Sequence, residues 1–443
     1  MRPFFMIMRK LLLLLLLTAL PLGAQTTVTL LHFSDYHSHA LPFYTDEGER
    51  GGIARALHYL AREKKRGALV FSGGDTINKG APAWSDKYGC VEWPWWNGVV
   101  DAMAFGNHDA DYGRPAFDDC RRSVTYPILS ANTPGFQRYA VFAANGIRIG
   151  VFALAGSDFS SLVHVEGFSF GDPLAAAREV VRELREKEHA DVVVMIGHQH
   201  LESDYAMARE VPGIDLIFGS HSHLKRDLTR IEGTNTWFIS PWQYLGYVSR
   251  VQLTFDHGKL TNVRGAVVPI EKRLGEDKNI ARRVQRLQND LEHDPAYVDL
   301  FKPIGTLDRA MSVRDLAMFT LDQMRRVANA DVALSTVSSF RAALPRGLLT
   351  MEQLRDAMPY ENEIFVCTMP ASTVQRVLDY SKSLAGTDRE SFIAAPSSLD
   401  PSRTYRVATT DFLANVVYRE VFDCAKEKTG KKVRETVKAT LSN

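Results

Sequence analysis

The chain has 443 residues, with 53 Lys+Arg against 52 Asp+Glu, a formal net charge of +1, 45% hydrophobic and 24% charged residues. These values exclude a disordered, collagen-like or polytopic membrane protein. The near-zero charge argues against general nucleic-acid binding, and the length suits two domains with a core each.

The first 24 residues stand apart. Arg2, Arg9 and Lys10 precede an apolar core from Leu11 to Leu22 that holds seven consecutive leucines, and Gly23-Ala24 offers small residues before Gln25. That pattern predicts a secretory signal peptide cut near Ala24, too short to span a bilayer, and so a periplasmic or secreted mature protein without stable membrane insertion. An uncleaved anchor is the competing reading. Four cysteines are too few for a disulfide scaffold. In an oxidising compartment, pairs Cys90–Cys120 and Cys367–Cys424 are open, chosen because each keeps both partners in one half of the chain.

From 26 to 268, short apolar runs alternate with amphipathic stretches. The runs 28–33, 68–71, 102–105, 147–154, 192–196 and 216–218 read as buried strands. Ile53, Leu57 and Leu60 follow helical spacing, and Pro173 opens a helix running to Lys187. Such alternation implies an α/β layered domain, closed by a hairpin over 247–270. Within the charged stretch 271–292, Ile280, Val284, Leu287 and Leu291 make one apolar stripe, which predicts a linking helix. A second domain follows, with a helix over 313–328, a strand over 332–335 and a helix opened by Thr350. A strand over 364–369, a helix over 373–383 and a strand over 405–410 complete its outline, and the lysine-rich tail 426–438 reads as a solvated helix face. The expected division is 1–24 leader, 25–270 first domain, 271–303 linking segment and 304–443 second domain.

The chemistry-bearing residues sit where strands of the first domain end. Asp35-Tyr36-His37, Gly73-Gly74-Asp75, Gly106-Asn107-His108-Asp109-Ala110-Asp111, Gly197-His198 and Gly219-Ser220-His221-Ser222-His223 each follow one such run. Ligands of α/β sheets gather at the carboxyl ends of strands. In extended backbone, residues i and i+2 point the same way, so Asp35 with His37, and His221 with His223, can each address one centre. Oxygen and imidazole donors without thiolates suit Zn, Mn, Fe or Co.

These five motifs, in this order, resemble the calcineurin-like metallophosphoesterase superfamily and, more narrowly, its secreted 5′-nucleotidase family. Ala102-Met103-Ala104-Phe105 before Gly106, Pro127-Ile128-Leu129-Ser130-Ala131-Asn132 and Val211-Pro212-Gly213-Ile214-Asp215 add to the likeness. The resemblance implies an N-terminal four-layer α/β sandwich flanked by helices and a smaller α/β C-terminal domain. It implies two divalent ions bridged by Asp75, with Asp35, His37 and His223 completing one site and Asn107, His198 and His221 the other. Two divalent ions less two carboxylates leave a positive centre that would receive phosphate and lower the pKa of a bridging water, giving hydroxide. By the same resemblance, His108 faces the reacting phosphoryl or leaving-group oxygen, with Asp111 orienting its ring. His39 and His200, each two residues from an expected ligand, could substitute for one, and the remaining histidines read as structural or surface. Trp84, Trp93, Trp95 and Trp96 after Asp75 read as local packing, with a substrate rim as the alternative.

The likeness weakens in the second domain. Arg341 matches a phosphate-binding arginine, but Thr336, Val337, Ser338 and Ser339 stand where the family has an asparagine and three glycines. Tyr360, in Pro359-Tyr360-Glu361-Asn362, matches one base-stacking ring, whereas the second ring is missing or comes from Tyr418 or Phe422. The reaction implied is hydrolysis of 5′-nucleotides or similar small phosphomonoesters by metal-held hydroxide. The alternatives are a 2′,3′-cyclic-nucleotide phosphodiesterase, a UDP-sugar hydrolase, a sulfur-oxidation thiohydrolase on the same metal site, and a catalytically silent binding protein.

Overall fold

The computed structural model describes residues 25–80, 82–163 and 165–441; the leader expected at 1–24 lies outside them, as does His164. The apolar runs of the first domain become two six-stranded sheets. In the first sheet, Thr26–Phe33 runs parallel to Leu69–Ser72 and antiparallel to Tyr247–Asp256. Ala102–Ala104 and Ile128–Leu129 extend the parallel side, and Lys259–Pro269 forms the other edge. In the second sheet, Ile147–Ala155, Val192–His198, Leu216–Gly219 and Trp237–Pro241 run parallel, with Tyr139–Ala144 and Lys225–Arg230 antiparallel at the edges. Val192–His198 is buried along its whole length, as a strand covered on both faces must be.

The two sheets face each other across an apolar layer that includes Val28, Leu30, Phe71, Val194, Phe218 and Val251. Helices Ile53–Lys64 and Lys278–Glu292 cover the outer face of the first, and Pro173–Glu186 and Leu201–Glu210 that of the second. This is the four-layer sandwich the resemblance implies. The expected linking helix is a packed element: Val284 and Leu291 are buried in the first domain's core, and Ile280 and Leu287 pack against it. Asp277 starts that helix by accepting hydrogen bonds from the backbone N–H of Asn279 and Ile280.

In the second domain, a five-stranded sheet has the order Ser391–Ala394, Val332–Thr336, Thr404–Thr410, Glu363–Pro370, Lys426–Lys432. Helix Val313–Ala328 packs on one face and Ala371–Ser383 on the other. The lysine-rich tail corrects the sequence reading, because its first half pairs with Glu363–Pro370 as an edge strand and only Val433–Leu441 is helical. Lysines on an edge strand keep further strands from adding to it, a role that hydropathy spacing alone does not separate from a solvated helix. Phe43 and Tyr244 of the first domain are buried in the second domain's core, so the two cores meet. Among the described residues, no helix is long and apolar enough to cross a membrane.

Both expected disulfides form, Cys90–Cys120 and Cys367–Cys424, with Cα–Cα distances of 5.8 and 5.9 Å. The first ties the tryptophan segment to helix Arg114–Arg122, which follows the His108 loop. Trp84, Trp93, Trp95 and Trp96 are all buried, as packing requires. In the same segment Glu92 is buried, and its carboxyl accepts a hydrogen bond from Tyr36 Oη at 3.2 Å.

Burial pushes Glu92 up to about 8 from an ordinary 4.5, outweighing the hydrogen bonds that favour its ionised form. The folded chain therefore keeps a proton that the unfolded chain releases, and stability contributed by that proton is complete below about 4.5 and lost as pH rises to about 8. Glu92→Gln should gain on the wild type in thermal melts across that window, with the Tm gap levelling off above it. A gap independent of pH would contradict this account.

Candidate metal centre

The carboxyl ends of both sheets meet at one rim, where backbone hydrogen bonds lace the loops together. Asp35 N–H donates to Gly74 O at 3.1 Å, and His37 N–H to Asp75 O at 2.9 Å. Asp109, named in the third motif but given no role there, accepts from the backbone N–H of Gly106, Asp75 and Thr76 at 2.9, 3.1 and 2.9 Å and so clamps two of the motifs. Burial and the charge of Asp75 raise Asp109 to about 6 despite those donors.

The extended-backbone argument for Asp35 with His37, and for His221 with His223, does not hold. All four residues have φ between 49° and 65°, as does Asp75 at 51°, so each motif is a left-handed bend. Asp35 and His37 nonetheless share one group, whereas His221 and His223 part. Asp35, His37 and His223 bring donor atoms within 4.8 Å of one another, while His221 joins Asp75 and His198 in a second such group. Asp75 lies between them, its Oδ2 being 3.2 Å from His198 Nε2 and 3.8 Å from His37 Nε2. Gly106 makes room, since a Cβ there would come within 2.2 Å of Asp75 Oδ1.

Hydrogen bonds outside the cluster assign each imidazole's tautomer. His198 Nδ1 donates to Gly73 O at 2.6 Å and His37 Nδ1 to Ile77 O at 3.3 Å, because a carbonyl can only accept. Gln243 donates its amide to Arg341 O at 2.8 Å, which turns its Oε1 to His223 Nδ1. Three Nε2 lone pairs are thereby aimed inward. Those of His37 and His223 face each other at 3.1 Å, an arrangement that repels unless a cation shares it. Asn107 Oδ1, buried and without a hydrogen-bond partner, adds a neutral donor. Burial holds His37 and His223 below the ordinary imidazole value. Burial opposes charge on His198 too, but Asp75 outweighs it and pushes the ring up to about 10, so this pair demands a positive charge at Nε2. The donor set fits divalent metal.

His108 stands beside the cluster. Its backbone N–H donates to Asp75 Oδ1 at 2.8 Å, and its Nδ1 to Asp111 Oδ2, also at 2.8 Å. Burial works against its protonation, yet Asp75 and Asp111 outweigh burial and raise its pKa. Arg341, buried in the second domain, is close enough to lower His37 and His223 electrostatically, and donates to the hydroxyl of Tyr360, which is 41% exposed. Tyr418 and Phe422, offered as alternatives to a missing second ring, are both core residues, with the Tyr418 hydroxyl bonded to Ser391 at 2.7 Å. Phe412, two residues after strand Thr404–Thr410, is exposed.

His39 stacks on Tyr244 at 3.4 Å and turns its Nε2 toward Asp356 of the second domain, away from the cluster. His200 lies between Asp158 and Asp388, each 3.1 Å from one of its nitrogens. Burial opposes its charge, but these two carboxylates push it up to about 9. Asp158 also lies 3.2 Å from His221 Nε2. The sequence reading does not include Asp158, although it too follows a buried strand, Ile147–Ala155.

A hydrolase that acts on phosphoesters with divalent metal is the class this fold and donor chemistry define. Residues 28–225 match the calcineurin-like phosphoesterases, and residues 303–395 match the 5′-nucleotidase C-terminal domain. The chain therefore joins a calcineurin-like phosphoesterase domain to a 5′-nucleotidase C-terminal domain, in that order. Protein UshA of Yersinia enterocolitica is 26% identical over 473 aligned residues, covering 87% of this chain and 85% of that one. In fold, the chain is similar to a 5′-nucleotidase precursor from Thermus thermophilus, with TM-score 0.70, 21% identity and 94% and 96% coverage. It is equally similar to the sulfate thiohydrolase SoxB from the same organism, with TM-score 0.72, 20% identity and 94% coverage of both chains.

If Asp75 needs the space beside Gly106, then Gly106→Ala should lower divalent-metal retention ~10-fold with unchanged far-UV circular dichroism. Elemental analysis after dialysis reads this directly, and wild-type metal content in the variant would refute it.

Proposed function

We propose that this enzyme releases phosphate from 5′-nucleotides or similar small phosphomonoesters, after export through its N-terminal leader. The observation that carries the reading is the place of Asp75 Oδ2 between two inward-facing donor groups, with His108 hydrogen-bonded to Asp111 at their side. Asp35, His37, His223 and Asp75 would hold one divalent ion, and Asp75, Asn107, His198 and His221 a second. Bound there, such ions supply Lewis acidity toward phosphoryl oxygen and make water a nucleophile at neutral pH.

The chain's own groups do the rest. Asp111 fixes the proton of His108 on Nδ1, leaving Nε2 to carry a second proton toward the leaving-group or a phosphoryl oxygen. Asp75 and Asp111 raise the pKa of that ring, which favours its protonated form. Arg341 offers its guanidinium fork to phosphate, and Gln243 joins it to His223, so that phosphate binding and metal holding share one strut. Two disulfides suit the oxidising compartment that export implies.

Base recognition rests on Tyr360 alone among the rings expected from sequence. Val337–Ser339 forms a 3₁₀ turn with Thr336 Oγ1 bonded to Ser339 Oγ at 2.9 Å, closing space that glycines would leave open. Phosphate should therefore be read more strictly than the base.

Metal-loaded protein assayed on AMP, other 5′-nucleotides, a 2′,3′-cyclic nucleotide, a UDP-sugar, a thiosulfonate and p-nitrophenyl phosphate tests the proposal. Phosphomonoesters should be cleaved fastest; no phosphate release from any of them would defeat it. His108→Ala should cut kcat by ~10²–10⁴-fold. Arg341→Ala should raise KM for phosphomonoesters by ~10-fold or more, whatever the base.

A further inference from the structure

A loop of the second domain reaches across to the metal-facing rim of the first. Asp388, on that loop, is 8% exposed, and its Oδ2 lies 3.1 Å from His200 Nδ1. His200 Nε2 lies 3.1 Å from Asp158 Oδ2, and the same oxygen is 3.2 Å from His221 Nε2. Acid and imidazole thus alternate along four side chains, from the second domain to a residue of the Asp75 group.

The far end is held independently. Val337 N–H donates to Glu390 O at 2.8 Å, and Gly386 N–H to Glu390 Oε2 at 2.6 Å. Gly386 O accepts from Arg226, which stands three residues after His223 on the first domain. The near end has a consequence for the cluster. With Nε2 turned to Asp158, His221 has only Nδ1 to offer Asp75 and His198, whereas His37, His198 and His223 offer Nε2. The angle of the His221 ring therefore depends on where Asp158 is held, and Asp158 has His200 as its other neighbour.

We propose that Asp388 is a positioning residue for His221, acting through His200 and Asp158, so that the metal centre binds its ion in full only when the second domain is seated. A carboxylate opposite a ligating imidazole fixes ring orientation and raises its basicity, and losing such a partner costs ~10–100-fold in metal affinity. Here that partner is itself oriented from another domain. The inference rests on His221 being a metal ligand, as the function proposed above requires, but not on any particular substrate.

The test follows metal, not turnover. Full-length mature protein loaded with Mn or Zn is challenged with excess EDTA, and metal remaining per chain is measured against time. Asp388→Ala and His200→Gln should each release one of two equivalents ~10-fold faster than the wild type, and the double variant no faster than either. Asp46→Ala is the control, because Asp46 Oδ1 accepts from Val313 N–H at 3.0 Å, a contact between the domains that touches none of the four residues. It should release metal like the wild type. Wild-type release in Asp388→Ala, or equally fast release in Asp46→Ala, would overturn the proposal in favour of simple domain docking. A third metal equivalent lost selectively from Asp388→Ala would also overturn it, by giving Asp158 and His200 a cation of their own. Should Asp388→Ala misfold, His200→Gln carries the same comparison. Because the readout needs no catalysis, failure to cleave nucleotides would sink the substrate reading and leave this one standing.

Discussion

Negative charge placed out of reach of water governs this molecule. Asp35 and Asp75 are each 1% exposed and sit in one pocket with four imidazoles. Two carboxylates so placed repel each other and carry a desolvation cost that only nearby positive charge or convergent hydrogen-bond donors can offset. The surrounding architecture answers that demand: Asp109 clamps the loops, Gly106 leaves room, and the loops carrying Asp35, His37, Asp75, His221 and His223 bend through the left-handed region. Asp35, His37, Asp75, His221 and His223 are all held at positive φ, each at a cost of about 1–3 kcal/mol, a strain that a bound cation would counterbalance.

The second domain adds to this centre rather than merely covering it. Gln243 links His223 to the backbone of Arg341, and Phe43 and Tyr244 carry first-domain rings into the second domain's core. On the function proposed above, phosphate recognition, metal holding and domain seating would thus share side chains. The face that would read a nucleobase has changed most, with a hydroxyl-bonded turn where glycines would stand and Tyr418 turned inward.

Much of the site was legible because its residues follow buried strands in a fixed order, and strand ends are where layered α/β folds gather ligands. Legible residues were not legible for the right reason throughout. Asp35 with His37, and His221 with His223, looked like neighbours on extended backbone, yet both pairs lie on left-handed bends, and His221 and His223 belong to different groups. Asp109 was hidden because its task is to accept backbone hydrogen bonds, which leaves no trace in spacing. Asp158 and Asp388 were hidden because their partner, His200, is remote in sequence from each.

From the amino-acid order alone came the strand and helix alternation, the linking helix with its apolar stripe and the inventory of donors, since each depends on local periodicity or on residue type. Folding decided which nitrogen of each histidine faces inward, which carboxylate stands between the two donor groups, and whether an aromatic ring lines the cleft or fills the core. Those outcomes depend on contacts between segments tens to hundreds of residues apart, and a one-dimensional pattern holds no distance between such segments.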